Sequence, residues 1–210
     1  MLNPINLIRR CGQYIIKSIV ISNLKITVRG KENIPQTPKA LIVANHSSYL
    51  DVFVLGVPFF EQGLKTRWVI SKTNYRVWYL KWLYFLWQVI PVNGTIEKVK
   101  HALDKDLWVV IFPEGNEKWY PPSEAAKKRA RPAKGAAVIA LSTGVPVIPV
   151  GITGADKVLP ARSFRLDRHH DITVTVGKPF SCNVVKEENI GSDLLNLTIN
   201  DIMAKIKALT

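Results

Sequence analysis

The run Ala40-Leu41-Ile42-Val43-Ala44 constrains the fold more than any other stretch of the chain. Five consecutive apolar residues, too few for an ordinary helix, read as a buried strand. The run hands over directly to Asn45-His46-Ser47-Ser48-Tyr49-Leu50-Asp51, where helix-start chemistry begins, so a histidine stands at the junction of two rigid elements. Imidazole is the side chain suited to proton transfer near neutral pH, and a carboxylate five residues on can orient it, which is the making of a general base. The same residues support a plainer reading. Ser48-x-x-Asp51 is also a capping box, with the carboxylate reaching back at a helix N-terminus and His46 an ordinary loop residue. This stretch alone leaves both readings open.

Along the rest of the chain, apolar strands alternate with helical segments. Leu24 to Arg29 alternates like an edge strand, Gly30 turns the chain, and Asn33 to Pro38 is a polar loop. The helix opened near Ser48 is expected to run toward Pro58, where proline and the phenylalanines Phe59 and Phe60 close it. Strands follow at Arg67–Ser71, Leu107–Phe112, Val145–Ile152 and Ile172–Val176, with helices at Thr95–Lys105, Gly135–Thr143 and Ser192–Leu209. Pro146 and Pro149 imply that Val145–Ile152 is an edge or irregular strand. Leu107–Phe112 ends in Pro113-Glu114-Gly115: proline stops the strand, glycine admits close approach to the backbone, and a carboxylate is left at the strand's end. Open α/β sheets bind ligands at the carboxyl ends of their strands, so this loop and the His46 loop can share a crevice. Otherwise Glu114 is a solvated turn residue.

The chain has 210 residues, enough for one compact domain with a sizeable core. Its formal net charge of +13 calls for anionic partners: nucleic acid, an acidic membrane surface or phosphorylated substrates. Cys11 and Cys182 are far apart and match no metal-ligand spacing, so neither a metal site nor a disulfide framework is expected. Residues 1–22 form an amphipathic pattern, with Asn6, Arg10, Gln13 and Lys17 on one face and Ile8, Cys11, Ile15 and Ile19 on another. Such a helix packs on its own domain or lies on a membrane.

Between Tyr75 and Ile90, Trp78, Tyr79, Trp82, Tyr84, Phe85 and Trp87 are interleaved with Arg76 and Lys81. That composition suits the membrane interface, and the segment is short of a spanning helix; a buried tryptophan-rich helix is the alternative. A base-stacking surface would also mix aromatics with cations, but no nucleic-acid module is recognisable and no nucleic-acid partner is expected. Lys127, Lys128, Arg129, Arg131 and Lys134 form a basic run ahead of the Gly135 helix, either a solvated face or a phosphate holder. His169-His170 reads as surface.

Four blocks in order, Asn45 to Asp51, Ile90-Pro91-Val92-Asn93, Phe112-Pro113-Glu114-Gly115 and Val145-Pro146-Val147-Ile148-Pro149-Val150, closely resemble the motifs of the glycerolipid acyltransferase family that includes 1-acylglycerol-3-phosphate acyltransferase. The resemblance spans about residues 25 to 180. It implies an α/β fold, a mixed and largely parallel sheet flanked by helices, in an acyltransferase domain taken as 23–210, to which the amphipathic pattern adds a membrane-docking helix at 1–22. By the same resemblance, His46 is the general base and Asp51 its orienting partner. Asn45, Pro113, Glu114, Gly115, Lys128, Arg129, Lys134 and Pro149 belong to the substrate-binding residues, and no metal or cofactor is required. The implied partners are a lysolipid acceptor, an acyl-CoA or acyl carrier protein donor, and an anionic membrane surface, approached peripherally from the cytoplasmic face.

Members that acylate a phosphate-bearing glycerol typically carry an arginine just after the second block and another two residues past the third block's glycine. This chain has Gly94 and Glu117 there. Both expected phosphate clamps are absent, and Lys98, Lys118, Lys128, Arg129, Arg131 and Lys134 are the cations available to replace them. Another lysophospholipid or a hydroxylated lipid is therefore the rival acceptor, and a non-catalytic basic protein that binds membrane or nucleic acid is the rival class.

Overall fold

A computed structural model describes residues 8, 11–15, 18, 22, 24–70, 81–91, 95–114, 132–160 and 166–210. Among these residues seven strands form one sheet: β1 (Ile26–Arg29), β2 (Leu41–Ala44), β3 (Thr66–Ile70), β4 (Ile90–Pro91), β5 (Trp108–Ile111), β6 (Val147–Thr153) and β7 (Ile172–Val176). Their spatial order is β1-β7-β6-β2-β5-β3-β4, and every pairing is parallel except that of β6 with β7. The helices are α1 (Asp51–Glu61), α2 (Lys81–Trp87), α3 (Thr95–Asp104), α4 (Gly135–Thr143), α5 (Ala155–Val158) and α6 (Ser192–Lys207).

The apolar run of β2 lies at the middle of this sheet, with all four strand residues buried. Because side chains alternate along a strand, Ile42 and Ala44 face the core under α1, with Val54, Leu55 and Phe59. Leu41 and Val43 face the opposite core, built from α3, α4 and α6. Each buried aliphatic side chain contributes roughly 1.5–3 kcal/mol, so neither face can be given up. The small residues of α4, with Ala136, Ala137 and Ala140 fully buried, let this helix settle between the sheet and its neighbours α3 and α6.

Two expectations about proline are corrected. Helix α1 does not stop at Pro58 but continues through it to Glu61. Pro58 lies in the last turn and is itself buried with Phe59, so packing of that turn offsets the missing hydrogen bond. Likewise β6 is not an edge strand but an interior one between β7 and β2, and the expected irregularity is confined to its β7 side, where pairing breaks between Val150↔Val176 and the Val147↔Phe180 bridge. Pro146 precedes the strand and still accepts from Leu41 N. The antiparallel ladder with β7 begins at Val150↔Val176, so Pro149 stands just beyond it, its carbonyl accepting from Gly177 N. The absent proline N–H falls in the gap between that ladder and the Val147↔Phe180 bridge. The edge position expected for the first strand is observed, since β1 lies at one margin of the sheet.

Gly151 is required by close approach: a Cβ there would lie 2.5 Å from the Leu209 carbonyl oxygen, so the end of α6 rests directly on β6. Gly154, with φ +83°, turns the chain from β6 into α5, and a Cβ would overlap the Asp171 carbonyl.

Candidate active site

The carboxyl ends of the parallel neighbours β2, β5 and β6 lie at one side of the sheet, and each delivers a loop there. From β2 come Asn45 to Leu50. Asn45 is buried, and its amide behaves like an extra strand residue: Nδ2 donates to Ile152 O at 2.8 Å, and Oδ1 accepts from Ile152 N at 2.7 Å. Grouped with the substrate-binding residues from sequence, Asn45 clasps the His46 loop to β6.

Both readings of the Ser48 to Asp51 stretch are present in one arrangement. Asp51 is fully buried at the first turn of α1, and its Oδ2 accepts from Ser47 N at 2.6 Å and Ser48 N at 2.7 Å. The same oxygen lies 2.9 Å from His46 Nδ1. The reach-back of a capping box thus anchors the carboxylate that orients the imidazole. Ser48 departs from the capping pattern, since its Oγ donates to Leu159 O and accepts from Leu50 N. This ties the loop to the end of α5.

The His46 side chain is 14% exposed, and its ring stacks on Phe112 with centroids 4.4 Å apart and planes inclined by 21°. Phe112, at the end of β5, in turn contacts Trp68. Two fixed neighbours, a carboxylate at Nδ1 and an aromatic face, therefore set the ring's orientation. When Nδ1–H donates its hydrogen bond to the Asp51 carboxylate, Nε2 carries the lone pair that can accept a proton.

From β5 comes Glu114, whose Oε2 accepts from His46 N at 3.2 Å. The third-block carboxylate and the first-block histidine therefore meet, as the shared crevice requires. Pro113 is buried and its carbonyl accepts from Ala133 N at 2.7 Å, which fixes the base of the connection to α4. Lys134 is exposed at the start of α4. Pro149 is buried within β6. Gly115, Lys118, Lys128, Arg129 and Arg131 lie outside the described residues, as do Gly94 and Glu117, the positions of the missing arginines.

Next to these loops is an open cavity of about 490 Å³. Asn45, Ser47 and Glu114 form one side of it and α6 another. Neither Phe112 nor this wall of α6 was anticipated. Phe112 had a weak signal, being the aromatic residue next to the strand-ending proline. The wall had none, because the amphipathic pattern of α6 shows which face is buried but not which loop meets its end.

Ile8, Cys11 to Ile15 and Ser18 are helical, and Gln13 Nε2 donates to Leu86 O of α2 at 2.7 Å. Ile8, Tyr14 and Ile15 are exposed, as are Trp82 and Phe85 of α2, while Trp87 packs edge-on against Phe53. Trp78 and Tyr79 lie outside the described residues. Among the described residues no helix is long and apolar enough to cross a membrane, and no cluster of three or more potential metal ligands occurs.

The family model described as Acyltransferase matches residues 25–153. The chain is similar to the chloroplastic 1-acyl-sn-glycerol-3-phosphate acyltransferase of Brassica napus, 27% identical over 165 residues, which cover 74% of this chain and 45% of that protein. It is also similar to the 1-acyl-sn-glycerol-3-phosphate acyltransferase of Pseudomonas aeruginosa, 29% identical over 140 residues, which cover 62% of this chain and 50% of that protein. The chain thus spans about half the length of these curated relatives. Its fold matches the crystal structure of the 1-acyl-sn-glycerophosphate acyltransferase PlsC from Thermotoga maritima, with a TM-score of 0.61 at 18% identity, over 97% of this chain and 79% of that one.

Proposed function

This chain belongs to the acyltransferase family, and from that premise we propose that it moves a fatty acyl group from a thioester, acyl-CoA or acyl carrier protein, to the free hydroxyl of 1-acylglycerol-3-phosphate, giving phosphatidic acid. The observation that carries this reading is the pairing of His46 Nδ1 with the buried Asp51 carboxylate, at 2.9 Å, beside Glu114. His46 Nε2 takes the proton of the acceptor hydroxyl as its oxygen attacks the thioester carbonyl. The tetrahedral adduct collapses with cleavage of the C–S bond, and the imidazolium returns its proton to the departing thiolate. Asp51 stabilises the imidazolium throughout, so the acceptor's own hydroxyl plays the part of a triad serine. Base catalysis of this kind supplies about 10²- to 10⁴-fold, and positioning of the two substrates supplies more. Glu114, bonded to the His46 backbone, orients the loop and the incoming acceptor.

The names of the relatives support this acceptor. Gly94 and Glu117, standing where arginines are expected, favour a second reading in which another lysophospholipid or a hydroxylated lipid is acylated. Residues 1–22 and α2 dock the enzyme on an anionic membrane, with Ile8, Tyr14, Ile15, Trp82 and Phe85 entering the interface. The decisive experiment is acyl transfer from acyl-CoA and from acyl carrier protein to a panel of lysolipids by wild type and His46→Ala. Loss of transfer in the variant is expected, and equal activity in both proteins would remove the base. Flotation with vesicles of varied anionic content tests docking. Each basic residue near such a surface contributes about 1 kcal/mol, so indifference to lipid charge overturns that part.

A further inference from the structure

Most of the far side of the cavity beside the His46 loop is formed by residues beyond the family match, which ends at Thr153. Thr153 and Gly154 lead out of β6, Asp156 and Lys157 follow on α5, and Lys207 projects from the last turn of α6. Lys157 and Lys207 are both exposed, and neither is held in an ion pair among the described residues. Other lysines of the chain are so held: Lys31 by Glu61, Lys100 by Glu187 and Lys205 by Asp201. Two ammonium groups without carboxylate partners among the described residues, on separate elements of one cavity, are suited to a shared anion.

The cavity is also continuous with the reaction site, since Ser47 and Glu114 line it as well. A molecule whose reactive group reaches His46 can therefore extend a charged end between the two lysines. Glu114 lies at the catalytic end, where hydroxyl donors suit a carboxylate.

Resting on the acyl-transfer reading above, we propose that this cavity is a phosphate-ester subsite, with Lys157 and Lys207 supplying the cations that the expected arginine positions lack. The ligand chemistry is a phosphate ester, carried by the acceptor's headgroup or by the thioester donor. Lys157 and Lys207 bind it from opposite walls, and α6 is a substrate-binding element as well as a packing one. Asp156 opposes the anion and sets a ceiling on its affinity.

The test measures kcat and KM for Lys157→Gln, Lys207→Gln and the double variant, each with 1-acylglycerol-3-phosphate and the phosphate-free monoacylglycerol as acceptors. Acyl-CoA is compared with acyl-pantetheine, which lacks phosphate, as donor. An acceptor-phosphate subsite raises KM for the phosphorylated acceptor about tenfold or more in the double variant, leaving kcat and the monoacylglycerol KM in place. A donor-phosphate subsite instead raises KM for acyl-CoA and spares acyl-pantetheine. The Lys157→Arg, Lys207→Arg protein retains wild-type KM in either case, and Asp156→Asn lowers it. Unchanged KM for every substrate in the double glutamine variant overturns the proposal.

If wild type acylates none of these acceptors, the acyl-transfer reading fails separately. The subsite is then decided by thermal shift with glycerol 3-phosphate and with CoA, against glycerol and pantetheine. Phosphate-dependent stabilisation that the double variant loses upholds it, and equal shifts in both proteins overturn it.

Discussion

Replacing Asp51 by asparagine separates the structural from the electrostatic role of the carboxylate. Its Oδ2 serves three donors, Ser47 N, Ser48 N and His46 Nδ1. An asparagine carbonyl in that position can still accept from all three, so the loop keeps its outline. What disappears is the negative charge opposite the imidazolium. At a separation of 2.9 Å and an effective dielectric near 20, that attraction is roughly 6 kcal/mol. The two serine amides already compensate part of the carboxylate charge, which leaves about 3 to 5 kcal/mol of transition-state stabilisation at stake. At about 1.36 kcal/mol per decade, kcat should fall by roughly 10²- to 10⁴-fold. KM for both substrates should be unchanged, because Asp51 is buried behind the histidine. The new amide group is buried at the position of Oδ1, which has no hydrogen-bond partner among the described residues. Its unsatisfied donors cost about 1 to 3 kcal/mol of stability. Steady-state kinetics, with urea unfolding of the same protein, measure both quantities. A folded Asp51→Asn enzyme with kcat within about threefold of wild type would refute the imidazolium-stabilising role.

Asn45→Ala strands the buried N–H and C=O of Ile152, each worth about 1 to 3 kcal/mol, so the urea midpoint should fall by the equivalent of roughly 2 to 4 kcal/mol, and an unmoved midpoint would show that the clasp is not structural. Phe112→Leu keeps much of the volume but loses the stack on His46; kcat should drop several-fold at constant KM, and about 0.5 to 1.5 kcal/mol of stability should go with it, so wild-type values would count against orientation by the ring. The Cys182 thiol is pushed up by burial and further by Asp201, with Lys205 pulling the other way. Iodoacetamide at neutral pH should therefore label the exposed Cys11 well before Cys182, as followed by peptide mass spectrometry; similar rates at the two sites would contradict this environment.

The sequence announces the fold wherever one local rule acts alone. The apolar run of β2 could only be a buried strand, and the small-residue segment from Gly135 to Thr143 could only pack closely. The sequence misleads where tertiary context overrides a local rule. Pro58 suggests a helix end, yet burial of the final turn keeps α1 intact to Glu61. Pro149 suggests an edge strand, yet its missing donor falls in a break in the pairing on the β7 side, where an interior place is tolerated. The meeting of His46 with Glu114 was legible because both terminate parallel strands. The stack of Phe112, the second use of Ser48 and the cavity wall formed by α6 were not, since each depends on side-chain packing that the placement of strand ends does not fix.

The clasp between Asn45 and Ile152 joins partners separated by 107 positions. On a ribosome adding about 5 to 20 residues each second, Ile152 emerges roughly 5 to 20 s after Asn45. Through that interval β2 lacks its β6 neighbour, and the histidine loop lacks the backbone that fixes it. On the proposed mechanism, the base therefore lacks a fixed loop until residue 152 has been made, and a nascent chain stopped before that point carries the whole of the first motif without the clasp that positions it. Order of manufacture, as much as order in space, determines when the loop that carries His46 is fixed.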